Sequence, residues 1–234
     1  MNKKPTNYAP VEVCVWGKLA CFTRPEMKVE RVSYEVMTPS AARGILEAIF
    51  WKPQFQWHVR EIRVLKPIRY FSLLRNEVKE RATYSTGQKS IQFKEGFYSD
   101  EGKNRSQRNA LCLRDVAYSI AADAVLLPDV EEDEAKYRDQ FQRRVKRGQC
   151  YSMPYLGCRE FTANFSPEIP DDEDMHTQDI TADLGRMLFD IDYEPGGNGR
   201  GQPRFFQARL QRGILRIPET LYRKGVEDVS EKAE

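Results

Sequence analysis

Histidine is almost missing from this chain: its 234 residues include only His58 and His176. A histidine-rich metal centre therefore cannot be assembled. The five cysteines, Cys14, Cys21, Cys112, Cys150 and Cys158, include no pair at C-x-x-C spacing. The expectation is reduced cysteines packed as small hydrophobes, with no metal and no cofactor. No apolar run approaches the roughly 20 residues of a membrane span, so no membrane partner is expected. The opening Met1-Asn2-Lys3-Lys4-Pro5 lacks the apolar stretch of a secretory signal, which points to a cytoplasmic protein. The P-loop, the G-x-S-x-G elbow and H-E-x-x-H are also missing. The Gly-rich segment 195–201 does not follow a strand and open a helix, as a nucleotide-binding turn must. The acidic run Asp171-Asp172-Glu173-Asp174 reads as solvated loop rather than a Mg²⁺ site.

Apolar side chains are in good supply, at 40% of the chain with 11% aromatic, so a packed core is expected. Net charge is only +2, but its distribution is uneven. Residues 60–114 hold 13 Lys/Arg against 6 Asp/Glu, and residues 136–159 hold 7 against 1. Residues 166–194 reverse the sign, with 1 against 10. A chain split this way can turn a basic face to a polyanion, and charge alone is equally consistent with solvated helix and loop surface.

The spacing of apolar residues predicts a sequence of elements. Alternation over 11–16 reads as a strand, and 31–36 as a short extended piece. Residues 38–53 read as a helix: Thr38 as N-cap, Pro39 at the first helical position, an apolar stripe of Ala41, Ala42, Ile45, Leu46 and Ile49, and Pro53 as the stop. Residues 59–71 alternate as one long strand with basic residues between the apolar ones. Residues 74–110 lack periodicity and read as a long excursion, with a short hairpin at 90–97. Residues 113–127 read as a strand, though their alanines leave a helix open. Residues 130–147 read as a helix with an acidic start and a basic end, closed by Gly148. Extended pieces follow at 155–165 and 186–193, then a hairpin of 205–210 with 214–217 turning at 211–213. The order is β-α-β, excursion, β-α-β, which is the ferredoxin-like βαββαβ order with an insertion.

Several stretches carry a family resemblance. The first is Thr38-Pro39-Ser40-Ala41-Ala42-Arg43-Gly44-Ile45-Leu46-Glu47-Ala48-Ile49-Phe50-Trp51-Lys52-Pro53. Others are Trp16-Gly17, Ala20-Cys21-Phe22-Thr23-Arg24-Pro25-Glu26-Met27-Lys28-Val29-Glu30, Arg75-Asn76-Glu77-Val78, Leu156-Gly157-Cys158-Arg159-Glu160-Phe161, Asp183-Leu184-Gly185 and Met187-Leu188. Taken in order over nearly the whole chain, they resemble the CRISPR-associated Cas-five proteins (subtype d/c) of type I-C systems. The resemblance implies an α+β fold. It consists of a ferredoxin-like (RAMP, RRM-like) βαββαβ domain over 1–165 with an insertion around 74–110, then a linker and a small C-terminal antiparallel β domain over 166–234.

It also implies a function. Such proteins bind the stem-loop of the CRISPR repeat, cut at the 3′ base of the stem without a metal, and stay on the 5′ handle of the guide RNA. They do so among the backbone and large subunits of the interference complex. The alternative is a scaffold that binds the handle without cutting, and duplex DNA is a further candidate partner for the basic surface. The family's catalytic set is a Tyr (or His) at the end of the first helix and a Lys-His pair at the start of the second. Carried onto this chain, these positions fall on Phe50, Lys136 and Tyr137. A phenyl ring exchanges no proton, so three readings stand open. Lys136 and Tyr137 suffice; or His58 or a nearby Tyr substitutes; or the chain binds without cutting. For RNA binding the candidates are Arg24, Lys28, Arg31, Arg43, Lys52, Arg143, Arg144, Lys146 and Arg147, because an A-form stem is gripped through phosphates and 2′-OH groups. Trp51, Trp57 and Phe22 are candidates for stacking on unpaired bases, with core packing as the alternative.

Overall fold

A computed structural model describes residues 8–78, 105–193 and 201–223. Among these the chain is mostly antiparallel β with few helices. The strands are β1 (Val11–Ala20), β2 (Arg31–Val32), β3 (Phe55–Val64), β4 (Tyr70–Val78), β5 (Arg105–Leu126), β6 (Asn164–Ser166), β7 (Ala182–Asp192), β8 (Gln202–Gln211) and β9 (Ile214–Arg216). The helices are α1 (Pro39–Ile49) and α2 (Glu134–Lys146), and a 3-10 turn spans Glu219–Tyr222. The nine strands form one sheet in the order β6-β1-β5-β3-β9-β8-β7, with β2 and β4 also paired to β5.

β5 organises this sheet. Its C-terminal half lies between β1 and β3, from Val11↔Ala122 on one side and Val59↔Ala122 on the other. Its N-terminal half pairs with β4 from Tyr70↔Leu113 to Val78↔Arg105, and with β2 at Arg31↔Ala110. Between the halves Asp115 takes a left-handed φ of 51°, a conformation that aspartate tolerates better than most residues. Its carboxylate accepts from Lys66 Nζ at 2.9 Å and faces Arg69 at 3.5 Å. Those two residues belong to the break between β3 and β4.

Several expectations need correction here. The single strand expected over 59–71 is two strands, since Pro67 cannot donate to a ladder and the chain leaves the sheet between Val64 and Tyr70. β3 also starts earlier, at Phe55. The excursion expected over 74–110 has strands at both ends, paired to each other. The hairpin expected at 90–97 lies outside the described residues, as does the Gly-rich 195–201 segment except Gly201. Residues 113–127 are strand and not helix. Of the extended piece at 155–165, only Asn164–Ser166 joins the sheet, because Gly157 (φ +83°) turns the chain back and Tyr155 bridges Thr162. The piece expected at 31–36 shrinks to two residues. The helix expected over 130–147 starts later, capped by the Asp133 side chain on Ala135 N–H.

α1 forms as expected, with Thr38 Oγ1 accepting from Ala41 N–H at 3.3 Å and Pro39 at its start. It ends at Ile49 because Phe50 turns extended, three residues before Pro53. Its buried stripe of Ala42, Ile45, Leu46 and Ile49 packs on β3 and β7. The stripe of α2, Tyr137, Phe141 and Val145, packs toward β1, β5, β6 and α1. The last hairpin turns at Arg212 (φ 49°) and Gly213 (φ 73°), the two left-handed residues of a type I′ turn. Cys14, Cys21, Cys112 and Cys158 are buried.

Candidate functional site

The end of α1 meets the last turn of α2 directly, through Arg144, and is linked to the start of α2 through Phe55 on β3. Phe50, 1% exposed, stacks on Phe55 at a centroid distance of 5.7 Å. Phe55 in turn meets the Tyr137 ring at 5.0 Å. Trp57 Nε1–H donates to Phe50 O at 2.9 Å and fixes where α1 stops. The Arg144 guanidinium lies 5.3 Å over the Phe50 ring and donates to Ile49 O at 3.0 Å. The three positions carried over from the resemblance, Phe50, Lys136 and Tyr137, are thus brought to one seam, joined through Phe55.

The reactive atoms face outward from this seam. The Tyr137 ring is buried, but its hydroxyl donates to Glu132 Oε2 on the loop before α2. Lys136 is 60% exposed, lies 5.7 Å over the Tyr137 ring, and donates to Glu132 Oε1 at 3.0 Å. The bond to the Glu132 carboxylate, with burial and the carboxylate's charge, pushes the Tyr137 phenol up to about 12. The bonds from Tyr137 and Lys136 hold Glu132 below its usual range. At neutral pH the site therefore presents a phenol that keeps its proton and an ionised carboxylate, with the Lys136 side chain beside them.

Glu132 escaped the sequence reading. It lies in an acidic run, and its position depends on the chain folding back onto α2. The available signal was its i, i+4 spacing to Lys136.

His58 is not brought to this seam. It is next to Trp57 on β3, so it faces the other side of the sheet, stacked on Tyr222 at 4.0 Å. Trp57 and Phe22 are 1% and 3% exposed and belong to the core. Trp51 is 55% exposed.

The basic residues divide into two groups. Arg24 is bonded to Glu35 at 2.9 Å and lies over Tyr34; Arg31 points inward to Cys158 Sγ at 3.1 Å. Arg43 is taken up by Glu47 and Asp190, each at 2.7 Å, and Arg144 by the end of α1. By contrast Lys28, Lys52, Arg143, Lys146 and Arg147 are exposed, with no ion pair among the described residues. Lys136, Arg143 and Arg147 fall at i, i+7 and i+11, on one face of α2. No group of three or more His, Cys, Asp or Glu among the described residues is arranged to hold a metal ion.

Residues 11–218 match the model of the Cas5d family, described as CRISPR-associated protein (Cas_Cas5). The chain belongs to this family. A curated relative from Thermus thermophilus, named CRISPR pre-crRNA endoribonuclease Cas5d, is 47% identical over 234 residues, covering 92% of this chain and 94% of the relative. A relative of the same name from Mannheimia succiniciproducens is 44% identical over 218 residues, covering 89% and 94%. Among solved structures, one titled "Crystal Structure of CRISPR-associated Protein" superposes with a TM-score of 0.60 at 22% identity, covering 89% of this chain and 91% of the other. A chain of a "CRISPR RNA-guided surveillance complex" superposes with a TM-score of 0.53 at 14% identity, covering 91% and 92%. These two likenesses concern the Cas5 fold.

Proposed function

We propose that this Cas5-family chain is an endoribonuclease that cuts CRISPR precursor RNA at the 3′ base of the repeat stem-loop and then holds the 5′ handle within a type I-C interference complex. The observation that carries this reading is the seam where Lys136 and Tyr137, two of the three positions carried over from the resemblance, both bond the Glu132 carboxylate. The names of the two relatives support the activity. The strand order β6-β1-β5-β3 around α1 and α2 supports reading the first part of the chain as a ferredoxin-like RAMP domain.

The chemistry is transesterification. The scissile 2′-OH attacks the adjacent phosphorus in line, the P–O5′ bond breaks, and a 2′,3′-cyclic phosphate and a 5′-OH result. Glu132, kept ionised, accepts the 2′ proton. Lys136 offsets the charge that grows on the phosphorane oxygens. Tyr137, kept protonated, donates to the departing 5′ oxygen. No step calls for a metal. The protein's backbone- and large-subunit partners, and its cytoplasmic location, follow from the same reading.

Incubation with repeat RNA in EDTA tests this function. The expected products are a 5′-OH fragment and a cyclic phosphate, lost when the scissile nucleotide is 2′-deoxy. Cleavage that survives the 2′-deoxy substitution would sink the mechanism. A second reading, a handle-binding scaffold that does not cut, draws on Phe50, whose buried phenyl ring can move no proton. Tight hairpin binding without product would favour it. A basic surface that also binds duplex DNA would show sequence-blind affinity that collapses with modest salt.

A further inference from the structure

Beside the cleavage seam lies a surface that the proposed chemistry does not use. Trp51 is 55% exposed, Tyr151 86% and Met153 63%. The backbone holds them near one another. Tyr151 N–H and Ser152 N–H both donate to Ala48 O, at 2.8 and 3.1 Å, so the loop after α2 closes over the last turn of α1, three residues before Trp51. Neither Trp51 nor Tyr151 stacks on another aromatic ring among the described residues. The exposed cations Lys52, Arg143, Lys146 and Arg147 stand on the same two chain ends, without an ion pair among the described residues.

This arrangement narrows the choice of occupant. The rings are too exposed to be core, unlike those of Trp57 and Phe141, which are buried. Among the described residues, α2 carries one acidic residue beyond its first turn, Asp139, so cations prevail over the surface. A duplex would offer phosphates and leave the rings idle. A single strand offers phosphates and bare base faces together, and ring-plus-cation surfaces are suited to that pairing.

We propose that Trp51 and Tyr151 form a stacking platform for the unpaired nucleotides flanking the repeat stem, with Arg143 and Arg147 on their phosphates. The platform lies at the far end of the α2 face that begins at Lys136, so the strand leaving the stem runs from the cleavage seam toward the rings. This inference rests on reading the chain as a repeat-RNA binder, and it adds where the single strand goes.

The test uses the full chain and two hairpins, one with short unpaired flanks and one blunt. A 2-aminopurine probe is placed singly at each flanking nucleotide. With the wild-type protein, binding should change the fluorescence of at least one flank probe. Trp51→Ala with Tyr151→Ala should abolish that change and weaken the flanked hairpin by roughly tenfold or more. It should leave the blunt hairpin unaffected. The conservative Trp51→Phe should retain most of the affinity. Arg143→Gln with Arg147→Gln should lower the salt slope for the flanked RNA by about 0.7 per residue.

Unchanged flank fluorescence and affinity in the Trp51/Tyr151 variant would overturn the platform, including where that variant instead loses a protein partner. An equal loss on both hairpins would also overturn it. Wild-type protein that binds neither hairpin would instead defeat the RNA-binding reading itself.

Discussion

Tyr137 holds its proton more tightly than an ordinary tyrosine, and Glu132 gives its own up more readily than an ordinary glutamate. A site built from this pair has no group that titrates near neutrality. Single-turnover cleavage should therefore be flat between about pH 6 and pH 9, where histidine-based catalysis would bend near 6.5. Tyr137→His should introduce that bend, and a wild-type limb centred near neutrality would contradict the assignment. The raised phenol also has a sign for stability. Its bond to Glu132 stabilises the fold fully below the ordinary tyrosine value of about 10 and is lost as pH rises through about 12; on the acid side it is lost as the Glu132 carboxylate takes up a proton, below the usual glutamate range. Lys136→Ala should slow cleavage by about a hundredfold while repeat affinity stays within a few-fold, read by gel assay and titration. Lys136 and Tyr137 were legible only through the family resemblance, because an exposed lysine and a packed tyrosine on a helix announce nothing. Glu132 was illegible because its partners come to it only when the loop folds back.

Among elements, α1 was readable almost residue by residue, since cap, proline and stripe are local signals. Thr38→Ala should cost about 1 kcal/mol in urea denaturation through loss of the cap. The turn at Gly157 was less visible. A Cβ there would stand 2.1 Å from Cys21 O, at a φ that side chains avoid. Gly157→Ala should therefore destabilise by about 2 kcal/mol or more, seen as a lower urea midpoint. The paired stretch of β4 and the start of β5 escaped notice for a physical reason. Its outer face is exposed and its inner face only half buried, so apolar alternation never develops, and polar residues suggest a loop. The break between β3 and β4 was hidden for the opposite reason, because alternation continues across Pro67.

At the scale of the molecule, the C-terminal strands are bound to the rest by β9 on β3 and by Arg43, which bridges α1 to β7. Arg43→Ala should lower stability by about 1–2 kcal/mol, after allowing for its partial exposure to solvent. It should also raise amide exchange in β7 more than in β1. The long central strand has a consequence for how the protein comes into being. β1 and β3 never touch along the sheet; β5 fills the space between them, and it is translated more than forty residues after β3 ends. A nascent chain halted before Arg105 has both inner strand edges open and nothing to close them. Emergence of one segment from the ribosome then pairs both of these inner edges at once, so the first half of the protein should remain unfolded, and prone to association, until that moment.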